Sequence, residues 1–253
     1  MPNSNLPPQP IRVPWGVFPP VWIHADETAV KQHPAYDAAK AGDPDAAYQL
    51  VTETRSLDIV EQLTVAFAGK NPILVSAHAV EQSGVNAIPE ALADIISKQT
   101  GWRADASIVQ TNIVAHTGAD GFSRLARQAE FGGDVALDQN YVLVDDFIGQ
   151  GGTLANLRSH IIRGGGIVIG ATVLTGKTHS AVLALAESTL EALRTKHEKE
   201  LENWWHQRFG FAFDCLTESE ARYLLNTPSA DRVRNQITAA VQAGSRQTRD
   251  GIG

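Results

Sequence analysis

The chain has 253 residues, 43% hydrophobic and 19% charged, a globular composition long enough to bury one sizeable core. A net charge of −7 and a pI near 5.6 argue against general nucleic-acid binding, because neutralising a phosphate backbone takes a clustered basic face. A single cysteine, Cys215, excludes an intrachain disulfide and a cysteine-built zinc cage and fits a reducing compartment, the cytoplasm; no signal-like apolar core and no apolar run of about 18 residues indicates a membrane.

Residues 1–20 hold seven of the twelve prolines, which predicts an extended arm outside the core, anchored by Trp15, Phe18 and Trp22. Asp43-Pro44 is an N-cap and first-turn pair, and apolar spacing from Leu50 to Phe67 predicts one broken helix or two short ones ending at Gly69. From Asn71 the pattern becomes short apolar runs alternating with helices: strands at 72–77, 106–111, 141–146 and 166–175, with helices at Ile88–Thr100 and Gly152–Arg163. Such alternation predicts an α/β fold around a parallel sheet covered on both faces. Residues 178–206 read as helical, Thr217-Glu218-Ser219-Glu220 as a capping box opening another helix, and the polar stretch after Gly244 as a frayed tail. The division expected is an arm and helical addition (1–70), an α/β core (71–178) and a C-terminal helical annex (179–253). Trp204, Trp205, Phe209, Phe211 and Phe213 suit either the core of that annex or a hood over a ligand.

The chemistry concentrates in YVLVDDFIGQGGT, residues 141–153: a buried strand ending in two carboxylates, a glycine-rich turn and a helix start. Backbone N–H groups of Gly149, Gln150, Gly151, Gly152 and Thr153 can converge on a phosphate, helped by the helix N-terminus and the Thr153 hydroxyl. Asp145 and Asp146, at the carboxyl end of the strand, suit a vicinal diol or a hydrated metal ion.

This stretch resembles the binding motif for 5-phosphoribosyl-1-pyrophosphate (PRPP) in type I phosphoribosyltransferases, and the resemblance covers roughly residues 70–176. It implies a type I phosphoribosyltransferase fold in which Asp145 and Asp146 act as catalytic residues on the ribose hydroxyls and reach Mg2+ through ligand or water. The Gly149–Thr153 loop would hold the 5-phosphate. Ser76, Ala77, His78 and Ala79 correspond to the pyrophosphate loop, and His116, Arg124 and Arg127 to a closing lid that excludes water. The implied activity is transfer of the phosphoribosyl group from PRPP to a small-molecule nitrogen acceptor with release of pyrophosphate, in nucleotide metabolism, by a homo-oligomer, a dimer. The alternative is a PRPP or nucleotide sensor with the same fold and no turnover.

The chain departs from that pattern in three places. Gly149 stands where many purine-using members carry a carboxylate, Gln150 stands where many carry a hydroxyl, and the 76–79 stretch has no lysine or arginine. Competing motifs fail on spacing: Gly176-Lys177-Thr178 has its upstream Gly170 one residue too far for a P-loop, and Gly164-Gly165-Gly166 meets Ile169 where a dinucleotide fingerprint needs glycine. No pair of histidines has metal-ligand spacing with a supporting acid.

Overall fold

The computed structural model describes residues 11–77, 80–81, 84–112 and 120–250. In chain order the elements are β1 (Trp22–Ala25), α1 (Glu27–Lys31), α2 (Tyr36–Lys40), α3 (Pro44–Thr54), α4 (Leu57–Ala66), β2 (Ile73–Ser76), β3 (Val80–Glu81) and β4 (Gly84–Val85). Then follow α5 (Ile88–Thr100), β5 (Ala104–Asp105), β6 (Val109–Gln110), α6 (Gly121–Ala126), β7 (Phe131–Gly132), β8 (Asn140–Ile148), α7 (Gly152–Arg163) and β9 (Ile167–Gly176). The annex comprises α8 (Glu187–Phe209), α9 (Glu218–Leu225) and α10 (Ala230–Asp250).

A five-stranded sheet runs β1-β9-β8-β2-β5, with every pairing parallel. Its central strands are apolar on both faces, as a sheet covered on both sides requires. Along β8, Val142 and Val144 join Leu50, Leu63, Leu92 and Ile96 of helices α3–α5, whereas Tyr141 and Leu143 join Leu154, Leu157 and Ile161 of α7. The period of two in side-chain direction thus sorts one strand into two cores. A third core, built on Trp205, Phe209, Phe211 and Phe213 with Phe122 and Leu125 of α6, holds the annex together. The aromatics are annex core, not a hood: Trp205 and Phe213 are fully buried and their ring centroids lie 5.9 Å apart.

Local signals place the helices that frame the sheet. Asp43 caps α3 by accepting from the Asp45 and Ala46 N–H groups, Ser56 caps α4, and α5 opens with Pro89 in its first turn and stops at Gly101. Buried Asn86, one residue before the N-cap Ala87, accepts from the Ile88 N–H at 3.2 Å.

Three expectations are corrected. The strand expected at 106–111 is replaced by two-residue β5 in the sheet, while β6 leaves it to pair antiparallel with β7. Within the arm expected at 1–20, Arg12 is buried, against expectation, while the other residues of 11–20 are exposed or half-buried, with Trp15 and Phe18 packed against the core. The stretch after Gly244 continues α10 as far as Asp250. No described helix is long and apolar enough to cross a membrane.

Candidate functional site

From β2 the chain crosses by α5 to β5 on one side, and from β8 it crosses by α7 to β9 on the other. The carboxyl ends of β2 and β8 therefore flank the point where the winding reverses, the place where open parallel sheets form their ligand crevice. Here the crevice is a cleft of about 250 Å³ that takes in Asp145, Asp146 and the whole Gly149–Thr153 loop.

Gly151 is the N-cap of α7 and sits at φ 81°, a left-handed conformation that glycine adopts without a Cβ penalty. The chain thereby turns so that the first-turn N–H groups of Gly152, Thr153 and Leu154, which have no intrahelical acceptor, border the cleft. Gly149 serves a different need. A Cβ there would stand 2.5 Å from Nη1 of Arg124, so the guanidinium packs directly on the loop backbone.

The acid pair is asymmetric. Asp145 is 7% exposed and its Oδ1 accepts from the Asp146 N–H at 2.8 Å. Burial pushes its carboxyl well above the usual carboxylate range, and the charge of Asp146 pushes the same way. Asp146 lies nearer solvent and accepts from Lys40 Nζ at 3.1 Å.

Of the expected lid residues, Arg124 and Arg127 line the cleft. They do so from α6 and its end, whose Phe122 and Leu125 are built into the annex core, so they form a wall of the cleft. Their Nε atoms are buried and lack a hydrogen-bond partner among the described residues. Ser76, of the expected pyrophosphate loop, borders a separate hollow of about 400 Å³ together with Tyr48, Glu90, Asp94 and Asp105. Ala77 is buried and donates its N–H to the Val144 carbonyl at 2.8 Å. His78, Ala79 and His116 lie outside the described residues.

Sequence reasoning missed the cleft residues contributed from both ends of the chain. Arg12 of the arm lies at its floor, donating from Nε to Asn156 Oδ1 at 2.6 Å and from Nη2 to Glu220 Oε1 at 2.9 Å, with its guanidinium over the Phe211 ring. Lys31 and Lys40 come from the N-terminal helices, and Gln110 and Gln128 from between the core strands. The capping box was the one legible signal among these: Glu220 belongs to it, and the same carboxylate that accepts from the Thr217 N–H also pairs with Arg12.

No family model matches the chain. Over 229 residues, 90% of its length, it is 38% identical to Protein TraN of Escherichia coli. The chain is similar to TraN. It is also 40% identical over 146 residues, 58% of its length, to an uncharacterized protein of Haemophilus influenzae. The matches cover 51% of TraN and 33% of the Haemophilus protein, so the chain spans about half the length of one relative and a third of the other.

The likeness to TraN corrects the reading of function. A relative matched over 90% of this chain carries the name TraN, which points away from phosphoribosyl transfer from PRPP and from the transferase and nucleotide-metabolism labels that went with it. The physical reason for the error is that an acid pair and a glycine-rich loop report what a cleft can hold, whereas group transfer is a property grafted separately onto a fold.

Proposed function

We propose that this chain is a binding module for a small phosphorylated polyol, such as a sugar phosphate. Its phosphate rests on the Gly149–Thr153 loop and its hydroxyls on Asp145 and Asp146. The observation that carries the reading is that a left-handed, glycine-built helix start and an acid pair with one buried member, Asp145, line the same cleft at the reversal point of a parallel sheet. Arg124 and Arg127 add positive charge along the cleft, and their Nε atoms, without a hydrogen-bond partner among the described residues, suit an anionic ligand. Asp145 and Asp146 line the cleft side by side at the end of one strand and offer carboxyl oxygens to neighbouring hydroxyls, so the pair suits a diol. The same reading extends to the fold, in which a type I phosphoribosyltransferase architecture serves as a binding scaffold; no group transfer is assigned to either aspartate.

The test is thermal unfolding with ribose 5-phosphate, against ribose and inorganic phosphate separately. Ligand at about 100 times its Kd raises stability by roughly 2.7 kcal/mol. A rise with ribose 5-phosphate that disappears in a folded Asp145→Asn, Asp146→Asn double variant supports the reading, and an equal rise in that variant overturns it.

A further inference from the structure

The acid pair has a cation built beside it. Lys40 ends α2, and its Nζ stands 3.1 Å from Asp146 Oδ2 with the two side chains only 20% and 13% exposed. Packing fixes the lysine there: Ala39, its neighbour, is fully buried and accepts from the Ala87 N–H at 3.2 Å. The next turn is held as well, because Gly42 packs against the Val85 backbone at φ 104°.

The charges around the cleft extend the point. Arg12 at its floor is matched by Glu220 and Lys31 by Glu27, and Lys40, Arg124 and Arg127 line the same cleft as the two aspartates. A divalent ion bound to Asp146 at about 2 Å would sit within a few ångströms of the Lys40 ammonium, and like charges that close in a half-buried site repel by several kcal/mol at an effective dielectric near 20. Among the described residues no third carboxylate, histidine or cysteine gathers with the pair to offset that repulsion. The donor set among the described residues therefore does not fit a resident Mg2+.

We propose that Lys40 takes the place of a divalent cation in this cleft, bridging Asp146 to the anionic ligand, so that binding is independent of metal. The inference rests on the phosphorylated-polyol reading and names how that site neutralises its ligand. It also gives the N-terminal helices a place in the binding site, since Lys40 lies 106 residues from its partner in sequence.

Calorimetric titration of the full chain with ribose 5-phosphate, in EDTA and in Mg2+, tests it. The expected result is one Kd in both conditions for the wild type, a loss of about tenfold in Lys40→Met in EDTA, and near-complete retention in Lys40→Arg. Wild-type binding that tightens by about tenfold or more when Mg2+ replaces EDTA overturns the proposal whether or not the variants fold. Unchanged affinity of Lys40→Met in EDTA overturns it too. Absence of wild-type binding in both conditions instead removes the phosphorylated-polyol reading, and this inference with it.

Discussion

The hydroxyl of Thr217 donates to the carbonyl of Gln150 across 2.6 Å, joining the N-cap of the annex helix α9 to the middle of the phosphate-type loop. The same oxygen accepts from the Glu220 N–H at 3.1 Å, so one side chain both caps a helix and holds the loop. Thr217→Val keeps the shape and removes both bonds. It is expected to cost about 1–2 kcal/mol, read from urea unfolding, and to weaken ribose 5-phosphate binding by loosening the loop. Full affinity in a destabilised Thr217→Val protein would show that the loop needs no support from the annex.

Arg12 and Glu220 form a buried pair, with side chains 1% and 3% exposed. Arg12→Met leaves a carboxylate buried without its partner, and the expected loss is about 3–5 kcal/mol. Adding Glu220→Gln removes the stranded charge while retaining a capping side chain, so the double variant should recover a large part of that loss. Unfolding curves of the two single variants and the double variant close the cycle.

Gly149→Ala brings a methyl group into the space of the Arg124 guanidinium. The obstacle is the far end of a flexible side chain, so stability should change by no more than about 1 kcal/mol. Affinity for ribose 5-phosphate should fall about as far as in Arg124→Ala, and the double variant should be no weaker than either single one, because both changes act through one guanidinium. Additive losses would show that Gly149 and Arg124 act on binding independently.

Stability should respond to pH in two opposed limbs. His24 is buried against the Ser56 carbonyl, with burial lowering its pKa to about 4. The folded protein then binds fewer protons than the unfolded chain between that value and the ordinary histidine value near 6.5, so stability is lost as pH falls through this window, by on the order of 3 kcal/mol. His24→Asn should flatten this acid limb in melting temperatures taken from pH 7 to 4.

Asp145 acts in the other direction. Its carboxyl holds a proton to higher pH when folded, so the native state binds more protons than the unfolded chain above the ordinary aspartate range, and stability falls as pH rises through that window. Asp145→Asn should therefore melt higher than the wild type at pH 7 without ligand while binding less ribose 5-phosphate, the exchange of stability for function expected of a buried site group. A lower melting temperature would show that the carboxylate is stabilised in the fold.

The sequence by itself determined what depends on near neighbours. The apolar run 141–144 marked β8, Pro89 and Gly101 bounded α5, Thr217 and Glu220 announced the cap of α9, and the acids and glycines of 145–153 placed an anion-and-hydroxyl site at a strand-to-helix turn. Such signals survive in one dimension because burial period, capping and left-handed turns involve residues within a few positions of each other. Only the tertiary structure decided that β1 closes the sheet against β9, that the second core strand is the two residues Ala104–Asp105, and that Arg12, Lys40 and Arg124 meet around one cleft. A two-residue strand carries no period to read. A charged side chain looks the same in sequence whether it ends in solvent or 3.1 Å from an aspartate 106 residues away, because the packing of helices that brings the pair together is a property of the assembled cores.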